Sequence, residues 1–235
     1  MKRYYKSLPG FVLVLMVICS TQVKGDYTYT FNQITNNGNP DIQNQLSVIV
    51  SDPGTIDTET GANQVLFTFH NEATDYEKTS IELIAFDDGT LLGQADIING
   101  FGVDFLQDEG AAWTFPGGNA ITPKFTETAL FGALADNPAP FRGVNPDEQV
   151  GILFNLKDDK VYEDVLDAIS LGLNPLTAGL DDALRIGIHV IGFPDQPGSD
   201  SESYILVPVP ATILLGLLGL GVGGWKLRRN AKKAV

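Results

Sequence analysis

The chain has 235 residues, 43% of them hydrophobic and 19% charged, with a formal net charge of −14. All 29 acidic residues lie between Asp26 and Glu202, against only six of the 15 basic ones, so that interval carries a net charge of −23. Such a surface repels polyanions and argues against nucleic-acid partners. The single cysteine, Cys19, excludes an intrachain disulfide and a thiolate metal cluster.

In chain order, Lys2, Arg3 and Lys6 precede a short apolar run, Phe11 to Cys19. A positive start followed by an apolar core too short to span a bilayer predicts a removable signal peptide. Cleavage is expected after Gly25, with Val23 at the −3 position, or after Ser20. Ile18 precedes Cys19 where a lipid-attachment site needs a small residue, so a lipoprotein is not expected. Residues 1–25 are read as the signal peptide, 26–206 as one ectodomain and 207–235 as a separate C-terminal segment. The middle interval is long enough for a single ordinary core and shows no repeats.

Tyr27 to Phe31 alternates aromatic with polar, as a half-buried strand does. Leu46–Val50, Val65–Phe69 and Ser80–Phe86 are further β-prone runs between turn residues. Asp87-Asp88-Gly89-Thr90 then predicts a hairpin leading into Leu91-Leu92. Gly93 to Phe105 should add one or two short strands broken at Gly100 and Gly102. Asp108 to Asp147 is the least periodic part, interrupted by prolines, although Phe125–Phe131 could be a strand or a short helix. Gln149–Asn155 is again a strand. Lys160 to Leu171 carries the one helical pattern, with Val161, Tyr162, Val165, Leu166 and Ile169 on a single face, Asp159 placed to cap it and Gly172 to end it. Ala183–Phe193 is a late strand, and the polar stretch Asp195–Ser203 separates it from Tyr204–Val207. Seven to ten strands with one short helix predict a mainly β ectodomain, an antiparallel β-sandwich of jelly-roll or immunoglobulin-like type.

Signs of catalysis are absent from this pattern. There are two histidines: His70 at a strand end, and His189 inside an apolar run, where it is read as structural. Neither a zinc-protease motif, nor a nucleophile elbow, nor a phosphate loop occurs, so the chain is not expected to be an enzyme. No cofactor is expected either. Asp87-Asp88-Gly89, Asp158-Asp159 and Asp195–Glu202 offer hard oxygen ligands, which leaves a structural calcium site as the alternative, but none has the spacing of a helix-loop-helix calcium loop. Trp113 and Phe115, in the irregular middle, are candidate stacking platforms for carbohydrate, weighed against the commoner use of aromatics as core.

The last 29 residues have three parts in fixed order: Val207-Pro208-Val209-Pro210-Ala211, then the uncharged, glycine-dotted run Thr212–Trp225, then a basic tail with Lys226, Arg228, Arg229, Lys232 and Lys233. From Val209 to Leu227 a helix would extend about 28 Å at about 1.5 Å per residue, close to bilayer thickness. The prolines mark its start, and the basic cluster favours a cytoplasmic C-terminus as a stop-transfer element. This segment resembles the PEP-CTERM sorting signal of Gram-negative bacteria in its VPxPA form, with Val209 standing where the commonest form has glutamate. Leu184–Phe193 and the serine-acid loop after it also look like the end of many ectodomains of that family. The resemblance implies export, transient residence in the inner membrane through the C-terminal helix and processing by an exosortase-type membrane protease. A final location at the cell surface or in the extracellular matrix, in association with exopolysaccharide and biofilm, follows from it. A structural or adhesive role is the leading expectation. A carbohydrate-binding module or a polysaccharide hydrolase on an ordinary single-pass anchor is the alternative.

Overall fold

The structure is a computed structural model and describes residues 25–73, 78–88, 90–108, 115–125, 132–193 and 201–207. The described strands are β1 (Tyr27–Gln33), β2 (Leu46–Ser51), β3 (Gln64–Asn71), β4 (Ser80–Asp87), β5 (Leu92–Asn99), β6 (Phe105–Asp108), β7 (Gly132–Ala135), β8 (Glu148–Leu156), β9 (Arg185–Ile191) and β10 (Ser201–Val207). All pair antiparallel in one sheet of order β5-β8-β3-β2-β1-β10-β9-β4-β7-β6. The mainly β antiparallel expectation is met. Period-two patterning is the cause: β2 buries Leu46, Val48 and Val50 and turns Ser47, Ile49 and Ser51 to the other face.

Five places separate β3 from β4 in the sheet, roughly 24 Å across a flat one. Yet the rings of Phe67 and Phe69 on β3 lie 5.3 and 6.1 Å from Phe86 on β4, and Phe154 on β8 lies 4.9 Å from it. The sheet therefore bends over onto itself, and its two halves enclose the core as facing layers. Closure is nearly complete. Asn99, at the end of edge strand β5, accepts the Phe105 N–H of edge strand β6 (2.8 Å) and donates to its carbonyl (3.2 Å). Among the described strands, one ladder joins the two halves at the centre of the sheet: Thr30↔Val207, Phe31↔Leu206, Asn32↔Ile205 and Gln33↔Tyr204, between β1 and β10.

The hairpin expected at Asp87–Leu92 does not form. β4 pairs with β9 and β7 in one layer, whereas β5 pairs with β8 in the other. The chain crosses between layers here, and buried Asp88 holds the crossing by accepting the Leu92 N–H on its carboxylate (2.7 Å). An acidic turn fixes a change of direction; which strands then pair depends on where each apolar face finds a partner.

Helix α1 (Ala139–Arg142) and strand β7 arise within the aperiodic middle; both are four residues long, too short to leave a periodic signal. Helix α2 (Tyr162–Leu173) buries Tyr162, Val165 and Ile169 of the predicted face together with Ala168, whereas Leu166 is half-buried and Val161 is exposed. Its caps differ from expectation. Val161 is the N-cap and gives its N–H to the Asp164 carboxylate (2.8 Å), while Asp158 and Asp159 take left-handed φ values of 53° and 57° in the preceding turn. Gly172 lies inside the helix, where a Cβ would stand 2.1 Å from the Leu184 carbonyl oxygen, so it serves close approach and not termination. β10 begins inside the stretch expected to be a polar loop.

The two ends of the closed sheet differ. Helix α2 covers one, with the Tyr162 hydroxyl donating to the carbonyls of Val50 (2.8 Å) and Gly25 (3.2 Å). At the other, buried Gln45 donates to Asn71 (2.8 Å) and Thr79 (2.9 Å), and Asn71 in turn to the carbonyls of Thr79 and Val144 (both 3.0 Å). Among the described residues no helix is long and apolar enough to cross a membrane. The expected signal-peptide core, Phe11–Cys19, and the expected span, Thr212–Trp225, lie outside them.

Candidate functional site

β10 leads into the proline motif and is the element to which any reading of the C-terminal segment attaches. Its alternation puts Glu202, Tyr204 and Leu206 toward the inside and Ser201, Ser203 and Ile205 toward the outside. Val207, the first residue of the motif, is the last residue of the strand and pairs with Thr30. Because β1 runs opposite to β10, Tyr27 and Val207 leave the body at the same end, the one covered by α2. Pro208, Val209, Pro210, Ala211 and the basic residues Lys226, Arg228, Arg229, Lys232 and Lys233 lie outside the described residues.

Glu202 anchors the opposite end of the strand. It is fully buried, yet it is a charged residue. Its carboxylate accepts the Thr35 hydroxyl, the N–H groups of Asn37 (2.8 Å) and Asn39 (3.3 Å) and the Asn39 side-chain amide (3.2 Å). Burial pushes its pKa up, but the hydrogen bonds outweigh burial and hold it below the ordinary glutamate value. The strand thereby ties down the loop after β1. Sequence reasoning missed this residue because Ser-Asp-Ser-Glu-Ser has the composition of a solvated loop. The signal that could have found it is the Tyr204–Leu206 alternation, which extends backward onto Glu202.

On the outer face, Ser203 of β10, His189 of β9 and Glu82 of β4 form a polar row. The Ser203 hydroxyl lies 2.8 Å from His189 Nδ1, and Glu82 lies 3.6 Å from Nε2. A bulge between Ile81 and Leu83 turns Glu82 toward the ring. The residue types are those of a serine-histidine-acid triad, but the geometry is not. The acid is beyond hydrogen-bond distance, and Ser203 is fully buried, out of reach of a substrate. Burial lowers the pKa of His189 against the attraction of Glu202, and the Ser203 contact ties β9 to β10. Burial likewise lowers His70, with the Glu72 charge opposing it.

Of the candidate calcium ligands, residues 195–200 lie outside the described residues and Glu202 holds the loop after β1, while the others sit in local structure. Asp87 pairs with buried Arg185, Asp88 holds the interlayer crossing, and Asp158-Asp159 form a turn. A pocket of about 170 Å³ beside α2 is lined by Asp88, Asp164, Asp167 and Asp182 with Lys160. Among the described residues no three acidic or histidine side chains converge as metal ligands would.

The candidate stacking residue Phe115 is 1% exposed and offers no ring face to solvent. Its ring covers Gly187, where a Cβ would come within 2.6 Å, and it packs 4.7 Å from Phe125. Arg185 lies over the Phe125 ring at 5.3 Å and donates to the carbonyls of Pro123 (2.7 Å) and Lys124 (2.6 Å), so residues 115–125 form a cover pinned to the outer face. Phe115 is therefore core, as apolar surface favours. Trp113 lies outside the described residues. No protein-family model matches the chain, and neither a curated protein nor a solved structure is detectably similar to it.

Proposed function

We propose that the chain is an exported protein of the cell envelope or extracellular matrix, sorted through its C-terminal segment and trimmed there by an exosortase-type membrane protease. Its role on this reading is structural or adhesive, in company with exopolysaccharide and biofilm. The observation that supports it best is the shared exit of Tyr27 and Val207 at one end of the body. A signal peptide before Asp26 and an apolar span after Ala211 would then both attach at the α2 end, so both flanks can reach one membrane surface while the signal peptide is still present. The basic residues at 226–233 supply the stop-transfer charge on the inner side. Two facing antiparallel layers favour the sandwich reading of the fold; the jelly-roll or immunoglobulin-like subtype is the finer proposal that goes with it.

Intact-mass measurement of the protein from its native host tests this. The mature form should lack the basic tail and end near Pro210, and Pro208→Ala with Pro210→Ala should leave the longer form in the inner membrane. Peptides reaching Lys232 on the surface form would refute the sorting reading.

A further inference from the structure

β10 is last of the described strands in sequence yet sixth of ten in the sheet. It is laddered to β9 through Ser201–Ile205 and to β1 through Tyr204–Val207. The second of these ladders joins the two halves of the sheet, so the body closes only after Val207 has been delivered to it. Side chains hold the strand as firmly as its backbone. Tyr204 and Leu206 are 0% and 5% exposed, the Ser203 N–H is held by the Thr35 hydroxyl (2.8 Å), and Glu202 is bound as described. Pairing reaches Val207, and Pro208 follows with no amide hydrogen to extend the ladder.

Proteases commonly take a substrate as an extended strand and bond to its backbone. The backbone of residues 201–207 is already committed to β1 and β9, and it is released only when the centre of the sheet opens. We infer that β10 is a clamp on the C-terminal signal. Closure of the sheet sets Val207 as the innermost residue a protease reaches, and it leaves only Pro208, Val209 and Pro210, a reach of at most about 10 Å, between the folded end and Ala211. This inference rests on the reading that the signal is processed, and it adds a limit to where processing falls.

The test uses the full chain, in detergent and in its host. Hydrogen exchange should find the amides of Tyr204, Ile205 and Leu206 slowed at least about a thousandfold relative to an unstructured peptide, with the same opening free energy as the rest of the core. The mature C-terminus in the host should fall at Val207 or beyond. Unprotected amides in this strand, or a mature C-terminus within Ser201–Leu206, would overturn the clamp even with the tail removed and the sorting reading intact. Protected amides on a chain that keeps its tail would support the clamp and refute the sorting reading.

Discussion

Ending the chain at Glu202, where composition suggests a solvated loop, should abolish cooperative folding. The cut removes Ser203–Val207 and with them all four β1–β10 pairs and three of the five β9–β10 pairs. It removes the buried side chains of Tyr204 and Leu206, together worth about 3–6 kcal/mol at about 1.5–3 kcal/mol each. It also uncovers Phe31, Leu206's partner on β1, and leaves β1 and β9 as unpaired edges at the centre of the sheet. A whole domain of this kind is stable by only about 5–15 kcal/mol, so the loss consumes much or all of the total. Urea titration followed by near-ultraviolet circular dichroism should find a sigmoidal transition for residues 25–207 and none for residues 25–202. An unchanged midpoint and slope for the shorter fragment would refute the central role of β10.

Gly172→Ala should destabilise the fold by about 2 kcal/mol in thermal or chemical melts, against the gain of about 1 kcal/mol expected from helix propensity alone; stabilisation would sink the close-approach account. Phe115→Ala should cost about 3–5 kcal/mol as a core truncation and leave any affinity for soluble glycans unchanged, as isothermal titration would reveal. Glu202→Gln should cost about 1–3 kcal/mol at pH 7, because the buried donors lose a charged acceptor. The folded pKa of Glu202 lies below its ordinary value of 4.5, so its contribution is fully present above that value and is lost as the pH falls through the lowered one. The stability gap between the parent and Glu202→Gln should therefore narrow as the pH drops below about 4.5; a gap constant down to pH 2 would contradict the assigned charge.

Wherever the physical cause was local, the sequence carried it. Alternation marked β1–β4, β8 and β9, because burying one face of a strand forces period two on its residues. The helical face of α2 was legible for the same reason at period 3.6. Tertiary structure alone decided the rest. Which strands became neighbours, and hence that Asp87–Leu92 crosses between layers instead of turning back, depended on partners far away in sequence. Gly172 and Gly187 look like punctuation until the Leu184 carbonyl and the Phe115 ring arrive beside them. Glu202 has the composition of a loop and the position of a core residue, because the loop after β1, more than 160 residues earlier, brings the donors that make a buried carboxylate tolerable. The strand that closes the body is the one just before the proline motif, since closing this sheet at its centre requires contact between the first and last of the described strands, and no local pattern of residues encodes that meeting.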